Sequence, residues 1–560
     1  MILTAIVELS ENLPNVEEAY YRHISRNDAP TCAQGSRDAL LEAIQTWWTD
    51  GSIQKTPIFW LKGIAGTGKS TIAQTVCQNA AETKHLGATF FFSHQELRRK
   101  RADAVFPTLI FQLLNNIDCS DDIKAKIIVS LGKNPSAGKE VIKSQFKSLI
   151  LEPLSGLRQG SPMLLVLDAL DECTETGVVQ ILNLIKSHIH DLPSFLRIFV
   201  TSRPEGYVAN ILLPMHDNQD KPHVTIHNID PSGDNDSIRA YLKHALSESE
   251  IKRIFPDLDD WEVDEKKIDI LVQKSEGLYI VASTLVKHIM HKRVADPALQ
   301  LDMLIQGLLT KKHTHSAIYR LYEQILETMH PSDDADGGEV VLERFRRVVG
   351  SIVVLFEPLS IESLGRLLEE NSKRTVPAAL SQLQSVIAVT PADNLVRSQH
   401  PSFPEFLTDE KSCPAPYHVN RQKQHGMLAE QCFNIMTKLF NDDRDINDIE
   451  ITAEMRYAIR YWDDHLSASS PETNSKLLDR LRFLVKSQFS KWLDALFHAN
   501  CILHAIPFIQ NAHNWVVSFL IVLAMNYIHI SACLLVHKLS QRERNCHFVE
   551  GCNVVYTVLP

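Results

Sequence analysis

Four short runs of apolar residues recur in the first half of the chain, separated by longer mixed stretches. They are Ile58 to Leu61, Gly87 to Ser93, Met163 to Leu167 and Leu196 to Glu205. Continuous apolar runs are typical of parallel strands that are buried on both faces, and the stretches between them are long enough for crossover helices. The pattern therefore predicts a doubly wound α/β domain, followed by mostly α-helical domains where apolar positions take helical spacing.

A glycine-rich stretch, "LKGIAGTGKST", follows the first of these runs and precedes a run of helix formers. It fills the pattern GxxxxGK[ST], in which glycines turn backbone N–H groups inward and a helix N-terminus faces the anion. We expect Lys69 to reach the β and γ phosphates and Ser70 to supply a hydroxyl to Mg²⁺. A glycine-rich turn without a ligand is the alternative. The candidate cofactor-binding residues here are Gly63, Gly66, Thr67, Gly68, Lys69, Ser70 and Thr71.

An acidic stretch follows the third apolar run, in "PMLLVLDALDEC". Asp168 ends the predicted strand and is the candidate, with Ser70, for binding Mg²⁺ through water. Asp171 and Glu172 come just beyond, where one of them can polarise the attacking water, and both are therefore candidate catalytic residues. A solvated acidic turn is the alternative interpretation.

Arg203 follows the fourth run, where a guanidinium can sense the γ-phosphate, although a solvated charge at a strand end is also common. The guanine-specific pattern [NT]KxD does not occur downstream. The nearest string, "KKID" at Lys266 to Asp269, has the wrong first residue. We therefore expect an adenine nucleotide, ATP or ADP, together with Mg²⁺.

Composition narrows the choice of partners and compartment. A net charge of −11 over 560 residues argues against a nucleic-acid-binding protein. Ten cysteines are scattered without a CxxC pair, which favours reduced thiols in the cytoplasm. One run, Val516 to Val536, has 21 residues and no formal charge, which is the length that spans a bilayer. It also contains Asn526 and His529, so we favour a buried helix or strand pair, with membrane insertion as the alternative.

Taken together, these blocks resemble the NACHT ATPases of filamentous fungi, which are STAND proteins related to heterokaryon-incompatibility and nephrocystin-like proteins. The resemblance covers roughly residues 31 to 500. Its blocks are "CAQGSRDALLEAIQTWW", "IFWLKGIAGTGKST", "ATFFFSH", "FPTLIFQLL", "LLVLDALDEC", "IFVTSRPE", "EGLYIVASTLVKHI", "FRRVVGSIVVLFEPLSIESLGRLL", "LQSVIAV", "HPSFPEFLTD" and "RYAIRYWDDHL".

The resemblance implies a switch in which ADP holds a closed monomer and ATP opens it for self-association and signalling to unknown protein partners. The motif positions assign the Walker A, Walker B and sensor roles to Lys69, Ser70, Asp168, Asp171, Glu172 and Arg203. His400 stands where such proteins have a winged-helix histidine that binds the ADP β-phosphate. A lone histidine before "PSF" is more often structural, so this role rests on the resemblance alone.

The resemblance also implies a division into domains. We expect a short N-terminal extension (1–30), a NACHT P-loop domain (31–215), a helical domain (216–330), a winged helix (331–410), a helical domain (411–500) and a C-terminal segment of uncertain nature (501–560). Two positions depart from the family pattern. Tyr279 stands where plant and animal relatives usually have proline, and His94 stands where relatives tend to have arginine.

The favoured function is an ATP/ADP-dependent NACHT switch in fungal non-self recognition or incompatibility signalling, with slow ATP hydrolysis. About thirty residues precede Cys32 and no sensor repeat follows the helical region, so we expect a chain truncated at both ends. Two alternatives remain: a P-loop ATPase that turns over repeatedly, and a truncated scaffold whose nucleotide site is vestigial.

Overall fold

The computed structural model contains two compact units, Met1–Val419 and Asn420–Pro560. It describes residues 13–23, 30–50, 56–94, 96–157, 160–213, 223–230, 235–258, 261–291, 296–310, 316–327, 335–390, 393–441, 444, 446–470, 475–499, 511–512 and 514–518.

The first unit is built on a parallel sheet of five strands. The strands are β1 (Ile58–Lys62), β2 (Leu86–Phe91), β3 (Met163–Asp168), β4 (Leu196–Ser202) and β5 (Val224–Asn228), arranged in the order β2-β3-β4-β1-β5. Because β4 lies between β1 and β3, the carboxyl ends of these three strands are adjacent. The glycine-rich loop, the acidic stretch and Arg203 therefore emerge at one edge of the sheet.

Both faces of this sheet are buried, as the apolar runs predict. Ile58 and Trp60 of β1 pack into one core cluster, and Phe59 and Leu61 pack into another on the opposite face. This alternation follows from the two-residue period of a strand. The α/β fold class is confirmed.

The edge strand β5 was not among the predicted strands. It pairs with β1 from Ile58↔Val224 to Lys62↔Asn228, but most of its side chains are exposed or half-exposed. A five-residue run with one buried position gives no strong apolar signal, which explains why the sequence pattern did not reveal it.

The N-terminal extension also contributes to the core. Leu13, Val16 and Ala19 are buried in the first core cluster, and the Val16 N–H donates to Thr108 Oγ1 at 3.1 Å.

Helices cover the sheet and then dominate the remainder of the first unit. Up to the end of the sheet region they are α1 (Asp38–Thr49), α2 (Lys69–Glu82), α3 (Leu97–Lys100), α4 (Val105–Asn115), α5 (Asp121–Lys133), α6 (Ile142–Gln145), α7 (Glu152–Leu154), α8 (Glu175–His188) and α9 (Gly206–Leu212). Those that follow are α10 (Asn235–Ala245), α11 (Glu248–Ile254), α12 (Glu265–Ser275), α13 (Tyr279–Ile289), α14 (Pro297–Thr310), α15 (Ala317–Glu327), α16 (Ala335–Val354), α17 (Ile361–Leu367), α18 (Thr375–Leu380) and α19 (Ser402–Thr408).

A second, smaller sheet lies near the end of the first unit. Its strands are β6 (Leu359–Ser360), β7 (Ile387–Val389) and β8 (Leu395–Ser398), and both pairings are antiparallel, in the order β6-β8-β7. Together with α16, α17 and α18 the chain runs helix, strand, helix, helix, strand, strand. We call residues 335–408 the C-terminal block of the first unit; it contains His400.

The second unit is helical in its described residues. Its helices are α20 (Arg421–Phe440), α21 (Ala453–Ala468), α22 (Ser475–Phe483) and α23 (Phe489–His498). Trp462 is central to its core, with ring centroids 5.1 Å from Phe433 and 5.8 Å from Trp492.

Two sequence-based expectations concern the C-terminal region and the thiols. None of the described helices has the length and apolar character needed to cross a bilayer. The run Val516 to Val536 lies outside the described residues apart from its first three positions. Six cysteines fall in the described residues, and all six are free thiols: Cys32, Cys77, Cys119, Cys173, Cys413 and Cys432.

Candidate functional site

The glycine-rich loop joins β1 to α2 in a conformation that requires its glycines. Gly66 and Gly68 have φ of 83° and 84°, in the left-handed region that other residues rarely adopt. A Cβ atom on Gly66 would lie 2.2 Å from Cγ2 of Ile280, which is too close for any side chain. Ile280 also donates its backbone N–H to the Gly66 carbonyl at 3.0 Å. The loop is thus held against the first turn of α13.

Lys69 begins α2 and folds back over the loop. Its Nζ donates to the carbonyl oxygens of Gly63 at 2.7 Å and Ile64 at 2.9 Å. Burial lowers the pKa of this ammonium, although the carboxylates of Asp171 and Asp168 oppose the shift. The cation therefore sits in a partly desolvated place where a phosphate oxygen would stabilise it.

The hydroxyl residues of the loop divide into two kinds. Thr67 is fully buried, and its Oγ1 donates to the Ile64 carbonyl at 3.0 Å, so it holds the loop together. Ser70 is exposed and Thr71 half-buried in the first turn of α2, and both line a cavity above the loop.

Asp168 ends β3 and is 2% exposed. It accepts a hydrogen bond of 2.6 Å from Thr201 Oγ1, and the same hydroxyl accepts from the Ala169 N–H at 2.8 Å. Thr201 of β4 thus fixes the end of β3, at the point where Ala169 takes a left-handed φ of 56°. The chain then turns so that Asp171 and Glu172 face the cavity.

Asp171 and Arg203 form the central ion pair of the site. Asp171 Oδ1 accepts from the Arg203 backbone N–H at 2.9 Å, and Oδ2 lies 3.3 Å from the Arg203 Nε. Burial raises the pKa of Asp171, and the bond from the Arg203 backbone opposes that rise. Arg203 Nη2 also donates to Glu405 Oε1 of the C-terminal block at 2.8 Å.

Glu172 has a different partner. Its Oε2 lies 3.0 Å from the backbone nitrogen of His94 and 3.0 Å from His94 Nδ1. Burial raises the pKa of Glu172, but the hydrogen bonds and charge of His94 outweigh it, so the pKa falls below its usual value.

His400 lies at the end of the C-terminal block that faces the loop. Its Nδ1 accepts from the Ser402 backbone N–H at 3.1 Å and lies 2.7 Å from Ser402 Oγ, which is 2.8 Å from the Tyr322 hydroxyl. Since a backbone N–H can only donate, the proton of a neutral His400 ring sits on Nε2. Burial lowers the pKa of His400 to about 3, so the ring is neutral at physiological pH.

These groups surround one cavity of about 450 Å³. Its lining comes from five parts of the first unit: the loop with the ends of β3 and β4, one face of α13, residues 388–390 and 397–401, the stretch before α1 (residues 30–37), and Tyr241 of α10. Arg37, before α1, lies at its rim, where its Nη2 donates to the Thr67 carbonyl at 2.9 Å and its guanidinium stacks 4.9 Å from the Tyr279 ring centroid. The predicted site residues that line the cavity are Gly66, Gly68, Lys69, Ser70, Thr71, Asp171, Glu172, Arg203 and His400; Gly63, Thr67 and Asp168 do not line it.

Comparison with known proteins shows what this chain is similar to. Residues 35–203 match the model of the nephrocystin 3, N-terminal family. A curated relative, the vegetative incompatibility protein HET-E-1 of Podospora anserina, is 23% identical over 508 residues, which cover 82% of this chain. These two matches confirm the resemblance to a NACHT-type family. The chain spans about a third of the length of HET-E-1, 34% of it.

Solved structures give a more distant likeness. A STAND protein with a tetratricopeptide repeat sensor from Pyrococcus horikoshii is 12% identical, with a TM-score of 0.38, covering 89% of this chain and 59% of that one. RuvB of Thermotoga maritima is also 12% identical, with a TM-score of 0.27, covering 67% and 94%. The α/β fold of this part of the chain is instead established by the pairing of its five parallel strands.

The oxygen donors of Ser70 and Asp168 suit a magnesium ion. The Ser70 hydroxyl and the Asp168 carboxylate are hard oxygen ligands. Within the described parts of the chain, no group of three or more His, Cys, Asp or Glu side chains is arranged to hold a metal. Mg²⁺ commonly takes one or two carboxylates and completes its shell with water and substrate phosphates, so this donor set fits an ion that arrives with a nucleotide.

The sequence did not predict two residues that contact the phosphate-site residues. Glu405 lies in "HPSFPEFL", and Arg37 lies in "CAQGSRDALL". Neither belongs to a motif with a chemical signature, and the Arg203–Glu405 contact joins residues 202 positions apart. No local pattern could have revealed it.

Proposed function

We propose that this protein is an ATP/ADP-binding NACHT switch, and that the structure corresponds to its closed, ADP-type state. The observation that carries the proposal is the double engagement of Arg203. This arginine, the candidate γ-phosphate sensor, is bonded to Asp171 within the nucleotide domain and to Glu405 of the C-terminal block. A guanidinium bonded to these two carboxylates is not available to a γ-phosphate, so this arrangement favours ADP. It also joins the nucleotide domain to the C-terminal block.

Several residues would hold the phosphates and the magnesium ion. Lys69 and the inward N–H groups of the loop supply positive charge for the phosphates. His400 would add a neutral donor through Nε2, because burial keeps the ring uncharged and Ser402 occupies Nδ1. Ser70 and Asp168 would hold Mg²⁺, which supplies electrostatic stabilisation of the phosphate oxygens when it is bound.

The C-terminal block is the part that would move. Its order of elements, with a three-stranded antiparallel sheet, supports the winged-helix assignment of residues 331–410. Besides Glu405, the block contributes Arg397, whose Nη1 lies 3.5 Å from Glu96, and Gln399, which accepts from Lys287. An ATP γ-phosphate would compete with Glu405 for Arg203 and so weaken the closed state.

No single contact is sufficient for such a switch. Changing a two-state population from 1:99 to 99:1 takes about 5.5 kcal/mol, whereas one hydrogen bond to a charged group contributes about 1.5 to 3 kcal/mol. We therefore assign the closed state to Glu405, Arg397, Gln399 and His400 acting together. Opening would expose the surfaces for self-association in the ATP state.

The biological role follows the curated relative. Because HET-E-1 is named a vegetative incompatibility protein, we propose signalling in fungal non-self recognition, in the cytoplasm, with slow ATP hydrolysis through Asp171 and Glu172. The alternatives are a P-loop ATPase that turns over repeatedly, and a scaffold with a vestigial site.

Light scattering after size exclusion tests the switch. The full-length protein is loaded with ADP in one sample and with a non-hydrolysable ATP analogue in another. We expect a monomer with ADP and a larger assembly with the analogue. Equal masses, with both nucleotides bound at full occupancy, would contradict a nucleotide-dependent switch and favour the turnover ATPase.

A further inference from the structure

His94 and Glu172 are joined by two hydrogen bonds that end on the same carboxylate oxygen. Glu172 belongs to the short 3₁₀ turn Leu170–Glu172 after β3, and His94 follows β2, the neighbouring strand. A carboxylate only accepts hydrogen bonds, so the backbone N–H and the Nδ1–H of His94 both donate to Oε2. The contact therefore fixes the ring tautomer as well as the carboxylate. We call it the His94–Glu172 clamp.

Glu172 also borders the cavity. It lines the cavity together with Lys69 and Arg203, and both hydrogen bonds from His94 end on Oε2. The carboxylate that His94 holds is thus next to the space where a nucleotide would lie. The Glu172 side chain is held by a residue that follows β2, and β2 carries no other residue of the nucleotide motifs.

The chemistry of hydrolysis makes this contact consequential. A water oxygen attacks the γ-phosphorus, a new P–O bond forms, and the bond from phosphorus to the bridging oxygen breaks so that ADP leaves with the electron pair. The proton lost by the water passes to a general base, for which Glu172 is a candidate. Hydrogen bonds to the ionised carboxylate favour that form and so reduce its tendency to take the proton. The lowered pKa of Glu172 agrees with this.

We propose that His94 is a positioning residue that restrains Glu172 in the closed protein, so that the clamp slows ATP hydrolysis. The inference rests on the proposed nucleotide-binding function and on Glu172 acting as the base. It assigns the restraint to a residue that no motif of the phosphate site includes.

Three variants of the full-length protein test the clamp. His94→Ala removes the side-chain donor and leaves the backbone bond. His94→Asn keeps an N–H donor at the position of Nδ1 without an imidazole ring. His188→Ala is the matched control, because His188 Nδ1 also lies 3.0 Å from a carboxylate, Asp191 Oδ2, but neither residue lines the cavity. ATP hydrolysis gives kcat and KM for each, after nucleotide binding has been measured separately.

The expected result is a rise in kcat of about three- to tenfold for His94→Ala, with KM changed less than twofold. Losing one hydrogen bond to the ionised form raises a carboxylate pKa by about one to two units, and proton transfer responds to part of that change. His94→Asn should bring kcat back toward the slow rate, and His188→Ala should not change it. Adding Glu172→Gln to His94→Ala should abolish the gain.

A kcat for His94→Ala equal to or below that of the unmodified protein overturns the proposal. An equal value would mean that the side-chain bond has no kinetic effect, and a lower one that His94 assists Glu172. Failure of the proposed function looks different: nucleotide binding would then be absent, or unaffected by Lys69→Ala, before any rate is compared.

Discussion

Two groups of polar side chains, one in each unit, are stabilised in different ways. In the first unit, Asp171 and Arg203 form an ion pair and line a cavity, and Arg203 also contacts a third residue, Glu405. In the second unit, His425 Nδ1 lies 2.8 Å from His465 Nδ1, and His465 Nε2 lies 2.7 Å from the Tyr457 hydroxyl. These rings are buried, and burial lowers the pKa of His425 to about 4 and that of His465 well below its usual value.

The difference shows which polar group is built for a ligand. Opposite charges beside a cavity can exchange partners when an anion or a cation enters, because each charge has an alternative. Neutral rings bonded to each other in a core have no such alternative, so they specify the packing of α20 and α21. The first group should therefore respond to nucleotide, and the second only to conditions that unfold its unit. Four predictions test this contrast, from the largest expected effect to the smallest.

Removing the loop cation should have the largest effect. Lys69→Ala deletes donors to two phosphates, each worth about 1.5 to 3 kcal/mol, so we expect nucleotide affinity to fall by at least about 100-fold. Titration with a fluorescent ADP analogue measures the change. Lys133→Ala, at an exposed lysine of α5, is the control and should bind normally. Equal affinities for the two variants would show that the loop does not bind phosphate.

Tyr457→Phe should affect stability and leave binding unchanged. It removes the hydroxyl next to His465 Nε2 and leaves a buried nitrogen without that partner, which costs about 1 to 3 kcal/mol. Hydrogen exchange of α20 and α21 should speed up, while the ADP analogue binds as before. Unchanged exchange in these helices would contradict a structural role for the cluster.

His425→Asn should reduce the acid sensitivity of the second unit. His425 has a pKa of about 4 in the fold and an ordinary value near 6.5 when unfolded, so its stabilising contribution is full above about pH 6.5 and declines as the pH falls toward 4. Between pH 7 and 5 the variant should lose about 1 to 2 kcal/mol less stability than the unmodified protein.

Two aspartates act in the opposite sense in this range. Burial raises the pKa of Asp463 to about 6 and of Asp464 to about 7, so their contribution grows as the pH falls. Both remain in the variant, as does His465, whose pKa burial also lowers. Chemical denaturation of the two proteins at each pH therefore reports on His425 and its contact with His465. An identical pH dependence would contradict its burial as a neutral ring.

Glu405→Gln should produce the smallest effect. It removes the charge that Arg203 contacts, and partly exposed ion pairs contribute at most about 1 kcal/mol, so ADP dissociation should speed up about threefold. Glu410→Gln, at an exposed glutamate five residues on, makes the same charge change without that contact. Stopped-flow release of the ADP analogue compares them. Identical release rates for the two variants would show that Glu405 does not stabilise the closed state.

The sequence predicted the parts of this molecule that have a local signature. Apolar runs identified four of the five parallel strands, and the spacing of glycines and Lys69 identified the loop. The edge strand β5 lacks such a run, because only Val224 of its five residues is buried. The contacts of Glu405 with Arg203, and of His94 with Glu172, join distant residues through the strand order β2-β3-β4-β1-β5, which no periodicity encodes.

The most direct test of the account is the nucleotide that the purified full-length protein retains. The protein is denatured and the released nucleotide is identified and quantified by chromatography, with Lys69→Ala in parallel. A closed switch predicts about one ADP per chain from the unmodified protein and none from the variant. An empty site in a protein that hydrolyses ATP rapidly would contradict the switch, and an empty site without hydrolysis would favour the vestigial scaffold.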